Sequence, residues 1–367
     1  MTLSPKPGIL DISPYVGGRS SAPGAAKVFK LSSNESPLGP SPRALAALQA
    51  AGGNLALYPD GSSLALRQAI AAANGIDAER IVVGGEGSGP LLTMLANAYL
   101  RPDDEVIFSR HAFALYEIAT RANSARPVIV PEIDGNRGIR IDVAAMLAAV
   151  TPRTRLLFIA NPNNPTGTYL TEDEMNRLHA GLPKNVLLVI DAAYAEFVGQ
   201  PDYEPGIKLV SRHDNVVMTR TFSKIHGLAA LRLGWLYGPQ SVCEVLNRIR
   251  GPFNTSTIQQ QVGAAAIADQ AHVAMVAEHN RKWRDWLTAE IRKLKLRVDD
   301  SAANFLLVHF PAGAKSAAKA DGFLTARGLI LRAVTNYGLP DALRLTVGDE
   351  AANRAVVAAL AEFMGAP

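Results

Sequence analysis

Lys224 is the residue whose surroundings in this sequence suggest chemistry most clearly. It comes directly after Ser223 and eight positions before Arg232, and a strand predicted over residues 215–220 leads up to it. An ammonium that is desolvated near another cation loses basicity and becomes a nucleophilic amine. Such an amine suits Schiff-base formation with a phosphorylated aldehyde, whose phosphate Arg232 and the Ser223 hydroxyl would bind. A lysine that merely reaches solvent is the alternative, and a Ser-Lys pair alone does not exclude it.

Two other predicted strands end in polar residues. The apolar run that starts at residue 153 leads into the string NPNNPTG at Asn161, and the run over residues 186–190 leads into Asp191. Continuous apolar runs of this length are typical of strands buried in a parallel sheet. Because ligands of open α/β sheets bind at the carboxyl ends of strands, we expect Asn161, Asp191 and Lys224 to lie close together. A simple turn after the first strand and a helix cap at Asp191 are the alternatives.

A glycine-rich loop lies earlier in the chain, between a strand predicted over residues 81–83 and a helix that opens near Pro90. This geometry directs free backbone N–H groups and the positive end of a helix dipole at an anion. Gly85 and Gly87 match the first two glycines of a dinucleotide fingerprint, but Pro90 stands at the third position and no Walker lysine follows. The loop therefore predicts phosphate binding without either nucleotide motif.

The composition is that of an ordinary folded enzyme. The 367 residues are 48% hydrophobic and 19% charged with a net charge of +4, and this length favours two domains. The basic residues are scattered, which argues against a nucleic-acid partner. Cys243 is the only cysteine, so internal disulfides and cysteine metal sites are excluded, and the histidine spacing predicts no metal. The first residues lack an apolar targeting region and no stretch could span a membrane, so we expect a cytoplasmic protein with no membrane partner.

The sequence pattern divides the chain into three parts. Residues 1–40 are rich in Pro, Gly and Ser and predict an extended arm. Residues 41–255 predict a large α/β domain, and residues 256–367 predict a smaller domain of alternating strands and helices. The periodic run over residues 257–294 is too long for one helix and predicts two, with a break near residues 269–272.

The segment TFSKIHGLAALRLGW around Lys224, together with NPNNPTG, resembles the histidinol-phosphate aminotransferase family. The resemblance extends from about Pro7 to the C-terminus. It implies fold type I of the pyridoxal-phosphate-dependent transferases, the aspartate aminotransferase fold. This is an α/β fold in which a large domain holds a mainly parallel seven-stranded sheet, and a smaller α+β domain packs with the arm. It also implies a homodimer with shared active sites.

The activity implied by the resemblance is amino transfer between small-molecule substrates, histidinol phosphate and 2-oxoglutarate, in histidine biosynthesis. Pyridoxal 5'-phosphate would carry the amino group between the two half reactions. An aromatic amino-acid aminotransferase and a threonine-phosphate decarboxylase of the same fold remain alternatives. A cofactor-binding transcription regulator would need a DNA-binding domain, and no basic helix-turn-helix segment precedes residue 41.

The resemblance also assigns roles to single residues. Lys224 is the catalytic residue, which holds the cofactor and then acts as general base. Asp191 keeps the ring nitrogen protonated, Phe113 stacks on the ring, and Asn161 and Tyr194 bind the phenolic oxygen. The other residues that bind the cofactor are Gly87, Ser88, Gly89, Thr221, Ser223 and Arg232. Tyr58 binds the cofactor of the partner subunit across the dimer interface. The residues that bind the substrate are Tyr15, Asn34, Arg332 and Arg344.

One part of the phosphate loop departs from the family. The usual reading is Gly-Ser-Asp-Glu, whereas here Gly87 and Ser88 are followed by Gly89 and Pro90. The departure removes two carboxylates and one N–H donor. Three amides and the Ser88 hydroxyl remain to bind a phosphate.

Overall fold

The computed structural model describes residues 3–365. Residues 1, 2, 366 and 367, at the ends of the predicted arm and C-terminal domain, lie outside the described residues. The strands of the described part, in chain order, are β1 (Phe29–Lys30), β2 (Ile81–Gly84), β3 (Glu105–Ser109), β4 (Arg126–Val130), β5 (Ile133–Gly135), β6 (Gly138–Arg140), β7 (Thr154–Ala160), β8 (Leu187–Asp191), β9 (Val216–Thr221), β10 (Gly234–Tyr237), β11 (Arg297–Val298), β12 (Phe305–His309), β13 (Leu329–Ile330), β14 (Arg332–Ala333) and β15 (Ala342–Thr346).

Several helices start at side chains that cap them. Ser41 accepts a hydrogen bond from the backbone N–H of Ala44, and Thr171 and Ser256 each form a capping box. The helices are α1 (Pro42–Ala50), α2 (Leu64–Asn74), α3 (Gly89–Tyr99), α4 (Leu115–Ala122), α5 (Val143–Ala148), α6 (Glu172–Ala180), α7 (Ile207–Arg212), α8 (Gln240–Ile249), α9 (Thr257–Ala268), α10 (Gln270–Lys293), α11 (Ala317–Ala326) and α12 (Glu350–Met364).

The predicted, mainly parallel sheet of the large domain is confirmed. Its seven strands are ordered β2-β10-β9-β8-β7-β3-β4, and β10 alone runs antiparallel to its neighbours. The three central strands β7, β8 and β9 are almost wholly buried, as their apolar sequences predict. Their register pairs Ala160 with Asp191 and Asp191 with Thr219. The polar residues that follow these strands therefore meet at one edge of the sheet.

The small domain is built on an antiparallel sheet ordered β11-β12-β15-β14. Helices α10, α11 and α12 bury a separate apolar core against it, which includes Leu287, Leu306 and Val356. The arm joins this domain, because β1 pairs with β13 and Leu31 is buried in the same core. Among the described residues, no helix combines the length and apolar character needed to cross a membrane.

The two helices predicted over residues 257–294 are confirmed as α9 and α10. Helix α9 packs on α1 and α2, and its Val262 and Ile267 lie in the core of the large domain. Helix α10 belongs to the small domain through Leu287 and Ile291. We therefore propose that the domains meet at Asp269 rather than after residue 255, since the buried face of α9, not its composition, decides where it belongs.

Candidate active site

A cavity of about 320 Å³ lies at the carboxyl edge of the large sheet, closed on one side by the arm and the small domain. It is lined by residues from β8, β9, the glycine-rich loop, the arm and β15. Fourteen of the residues singled out from the sequence line it: Tyr15, Asn34, Gly87, Ser88, Gly89, Phe113, Asp191, Tyr194, Thr221, Ser223, Lys224, Arg232, Arg332 and Arg344.

Lys224 sits just beyond β9, with its amine facing the cavity. Its Nζ donates a hydrogen bond to the carbonyl oxygen of Ser33 in the arm at 3.0 Å. Burial, helped by the guanidinium of Arg344, lowers the pKa of the Lys224 ammonium to about 7. A substantial fraction of this amine is therefore unprotonated at neutral pH and available as a nucleophile or base.

Asp191 is the buried carboxylate of the site. Burial raises the pKa of its carboxyl to about 6, and hydrogen bonds, led by the one from the Tyr116 hydroxyl, oppose that rise. The Tyr116 hydroxyl donates a hydrogen bond to the Asp191 carboxylate at 3.0 Å. The Tyr116 ring stacks on that of Phe158, with the two centroids 4.8 Å apart. Tyr116 thus orients the carboxylate. The sequence contains no local signal for this contact, because Tyr116 and Asp191 are 75 positions apart.

Tyr194 presents a hydroxyl whose proton is free for a ligand. Asn34 donates its side-chain N–H to the Tyr194 oxygen at 2.9 Å, so that oxygen is already an acceptor. Burial raises the pKa of Tyr194 to about 12 and keeps the hydroxyl protonated. Asn34 itself is held by Thr346 and Asn304, and its backbone has a positive φ of 56°. Asparagine is one of the few non-glycine residues that adopt this left-handed conformation readily.

The glycine-rich loop forms the opposite end of the cavity. Arg232, which also has a positive φ of 56°, donates to the Glu86 carbonyl at 2.9 Å and lies 3.4 Å from the Ser223 hydroxyl. The Ser88 side chain makes no capping bond to α3, so its hydroxyl is available together with the first amides of that helix. A Cβ on Gly234 would lie 2.4 Å from the Ser88 nitrogen, so only glycine lets β10 approach the loop this closely.

The structure does not place Asn161 on the cavity, and the sequence-based choice of this asparagine is corrected here. Its side chain is fully buried, with its amide nitrogen donating to the Leu170 carbonyl and its oxygen accepting from the Leu170 N–H. Its backbone N–H continues the sheet by donating to Asp191. Asn164, three residues later in the same string, lines the cavity instead.

Arg344 and Asn164 form a pair at the substrate end. One Nη of Arg344 donates to the Asn164 oxygen at 2.5 Å, and the other donates to the Ser32 carbonyl at 2.8 Å. Because its oxygen is engaged, Asn164 has its amide N–H groups left to donate. The Nε of Arg344 is buried without a hydrogen-bond partner in the described part of the chain. Burial lowers the pKa of this guanidinium, as expected for a cation that lacks a carboxylate.

The remaining predicted residues are placed as follows. Arg332 donates to the Val16 carbonyl at 2.7 Å and so holds the arm beside the half-exposed Tyr15. Phe113 lies against Tyr116 edge to face.

Tyr58 is 82% exposed, stacks on Phe253 and does not line the cavity of its own chain. Sequence reasoning assigned no role to five lining residues with polar side chains: Ser32, Ser33, Glu35, Asn164 and Tyr337.

The residues present fit pyridoxal phosphate by their chemistry. A weakly basic amine can condense with its aldehyde, and a buried carboxylate can pair with its protonated ring nitrogen. Tyr194 and Asn164 offer two neutral donors for the phenolic oxygen, and Phe113 offers a flat apolar face. The loop amides with Arg232 suit a phosphate. Fold and site together define a pyridoxal-phosphate enzyme of fold type I.

Comparison with known proteins identifies the family. Residues 26–360 match the family described as aminotransferase class I and II, and the chain belongs to that family. The histidinol-phosphate aminotransferase of Rhodopseudomonas palustris (strain HaA2) is 56% identical over 365 residues, 99% of each chain, and that of Nitrobacter hamburgensis is 54% identical over 362 residues, 98% of each chain. The crystal structure of histidinol-phosphate aminotransferase from Sinorhizobium meliloti in complex with pyridoxal-5'-phosphate has a TM-score of 0.84 at 28% identity and covers 92% of each chain.

The lowered basicity of Lys224 predicts an unusual pH dependence of cofactor capture. Only the unprotonated amine attacks an aldehyde, so the rate at which cofactor-free protein takes up pyridoxal phosphate should rise with pH and level off above about 7. Nα-acetyl-lysine, with a pKa near 10.4, is the control and should keep accelerating to higher pH. Borohydride reduction and peptide mapping should place the tag on Lys224. A midpoint like that of the control, or a tag on another lysine, would contradict the assignment.

The two asparagines of the polar string should behave differently when truncated. Asn161→Ala leaves two buried backbone groups of Leu170 without partners and should lower the free energy of unfolding by roughly 1–3 kcal/mol for each. Asn164→Ala removes a donor from the cavity and should shift the pH at which the absorbance of the bound cofactor changes. Urea unfolding and spectrophotometric titration measure the two effects. The reverse pattern would restore Asn161 as the cofactor ligand.

Proposed function

We propose that the protein is a transaminase that transfers an amino group between histidinol phosphate and 2-oxoglutarate in histidine biosynthesis. The observation that carries the proposal is the position of the Lys224 amine between two cationic ends of one cavity, Arg232 at one end and Arg344 with Arg332 at the other. One cationic end suits the cofactor phosphate and leaves the other for an anionic substrate. Relatives 54–56% identical over almost the whole chain carry the name of this enzyme.

The protein residues have separate tasks in this reaction. Pyridoxal phosphate, when bound, supplies an electron sink for the pair of electrons left on the substrate α-carbon. Lys224 takes the proton from that carbon in one half reaction and delivers a proton to the α-carbon of the second substrate in the other, and its pKa of about 7 suits a general base at neutral pH. The Ser33 carbonyl steadies the amine from the arm side. Asp191, oriented by Tyr116, supplies the negative charge that favours a protonated ring nitrogen.

The substrate end must accept two different anions in turn. Histidinol phosphate has a phosphate and no carboxylate, whereas glutamate has two carboxylates. A guanidinium binds phosphate and carboxylate oxygens alike through paired N–H donors. Arg344 is suited to this task because Asn164 and Ser32 hold it in place and because it is buried with no carboxylate partner among the described residues. We assign Arg344 to both half reactions, with Arg332 and Tyr15 adding contacts to the phosphate.

Replacing Arg344 tests this assignment and the proposed substrates together. Arg344→Lys keeps the charge but removes the planar pair of donors, so each half reaction should lose roughly 1.5–3 kcal/mol of transition-state binding. Single-turnover rates are measured separately with histidinol phosphate and with glutamate, and Arg126→Lys, at an exposed ion pair of the sheet edge, serves as control. An unaffected glutamate half reaction would rule out the shared anion site. A parent enzyme that fails to turn over histidinol phosphate but accepts aromatic amino acids would replace the proposed substrate.

The proposal includes a homodimer acting in the cytoplasm. A patch of large apolar side chains on the described surface supports self-association: Leu55 and Leu57 are 70% exposed, and Tyr58 and Phe253 stack beside them with centroids 4.6 Å apart. Contiguous exposed apolar surface of this kind marks an interface. Because Tyr58 is directed away from the cavity of its own chain, we assign its hydroxyl to the cofactor phosphate of the partner.

Subunit mixing tests the shared site. Tyr58→Phe and Lys224→Ala should each be nearly inactive alone, but a mixed dimer should regain one intact site, in the subunit that keeps Lys224 and receives Tyr58 from its partner. Lys224→Ala mixed with Asp191→Asn is the matched control, because both residues line one cavity and no intact site can form. Activity is assayed on mixed dimers isolated with two affinity tags. Absence of recovery in the first mixture, or full activity of Tyr58→Phe alone, would refute the shared site.

A further inference from the structure

A second cavity, of about 380 Å³, lies between the two domains and is separate from the one that holds Lys224. The large domain contributes Arg137 and Arg140 of the β5–β6 hairpin and Tyr169 after the polar string. The small domain contributes Arg284 and Arg292, eight positions apart on α10. Residues at this spacing lie on one face of a helix, so the two guanidinium groups line the same wall. We refer to this space as the interdomain cavity.

The interdomain cavity is basic. Four arginines and two aspartates, Asp285 and Asp300, are among its lining residues, and Glu174 beside Arg140 reduces the excess to one positive charge. Arg292 donates to Asp300 at 2.8 Å, and Arg140 pairs with Glu174. Arg137 reaches Asp300 only at 3.9 Å from its Nε to the carboxylate, and its guanidinium lies 5.8 Å from the centroid of the Tyr169 ring. The acids present therefore do not satisfy all of the guanidinium groups.

Arg284 is the least satisfied of the four. Only 6% of the residue is exposed, and its Nη1 is buried without a hydrogen-bond partner in the described part of the chain. Its carboxylate contact is to the exposed neighbour Asp285, 3.5 Å from Nε. A buried cation normally has a full set of acceptors, because leaving water without them is costly. An anion in the interdomain cavity would supply the missing acceptors.

We propose that the interdomain cavity binds a phosphate group, either inorganic phosphate or the phosphate of a small ester. Guanidinium groups approach it both from the hairpin and from α10, and a tetrahedral phosphate offers oxygens in both directions. A carboxylate offers two oxygens in one plane and suits a single guanidinium fork better. The site goes beyond the amino-transfer reaction, since it lacks a lysine and lies outside the cavity of Lys224.

The interdomain cavity shares a wall with the active site. Pro162 and Asn164 line the active-site cavity, whereas Thr168 and Tyr169, a few residues later, line the interdomain cavity. This segment is also tied to the small domain, because the N–H of Ala302 donates to the Gly167 carbonyl at 2.8 Å. A phosphate held from both domains would therefore stabilise the contact between them and the segment that carries Asn164.

Titration calorimetry of the cofactor-loaded enzyme tests the site, with inorganic phosphate and glycerol phosphate as probes. The measurements use an Arg344→Gln background, which weakens anion binding in the active site. Arg284→Gln should weaken phosphate binding at least tenfold and Arg137→Ser several-fold, whereas Arg126→Ser, at an exposed ion pair elsewhere, should leave it unchanged. Binding of glycerol phosphate alone would assign an ester, and binding of both probes would assign free phosphate.

The proposal is overturned if the Arg344→Gln protein shows no saturable phosphate binding, or if Arg284→Gln and Arg137→Ser bind as tightly as their parent. Far-UV circular dichroism checks that each variant is folded. Should the buried Arg284→Gln variant fail to fold, Arg137→Ser decides alone, because the Arg137 side chain is 58% exposed and its loss leaves the core intact. A saturable, phosphate-dependent rise of the melting temperature that Arg137→Ser reduces is the independent second readout.

Discussion

The site depends on keeping a lysine amine out of water next to arginines. Within residues 3–365, Lys224 has no carboxylate within hydrogen-bonding distance, and its amine donates instead to a neutral carbonyl, that of Ser33. A carboxylate partner would raise its pKa and keep it protonated, whereas burial near Arg344 lowers the pKa to about 7. Removing the amine from water is unfavourable, and the folding of the buried parallel sheet compensates for it. The central strands β7 to β9 place the polar residues at one edge of this sheet.

Three consecutive arm residues connect this edge to the rest of the molecule. The Ser32 carbonyl accepts from Arg344, the Ser33 carbonyl accepts from Lys224, and the Asn34 side chain donates to Tyr194. Backbone carbonyls can perform the first two tasks with any side chain, so the composition of the arm does not reveal them. The positive φ of Asn34 directs its amide at Tyr194 while its backbone binds Thr346 of the small domain. The arm thereby contacts the cavity through polar groups, while Leu31 anchors it in the apolar core of the small domain.

The phosphate end shows how the chain tolerates its departure from the usual loop. Pro90 cannot donate an N–H, but it stands in the first turn of α3, where that group has no partner within the helix. Gly89 leaves space that Leu115 borders, and Gly87 adopts a positive φ of 97° beside the Arg232 guanidinium. Loss of two carboxylates removes negative charge near a phosphate. The loop therefore keeps the geometry of an anion site and becomes more electropositive.

Much of this protein is determined by local sequence pattern. Apolar runs that end in Asp191 and in the segment before Lys224 predict buried strands and their functional ends, and the overlong helical run predicts the break between α9 and α10. These features depend on residues near one another in the chain, so periodicity and turn chemistry suffice. The tertiary structure decided the rest: that Asn164 rather than Asn161 faces the cavity, that Tyr116 orients Asp191 from 75 positions away, and that α9 packs with the large domain. Those outcomes depend on which faces become buried against distant elements. The sequence of a single strand or helix does not identify the element against which it packs.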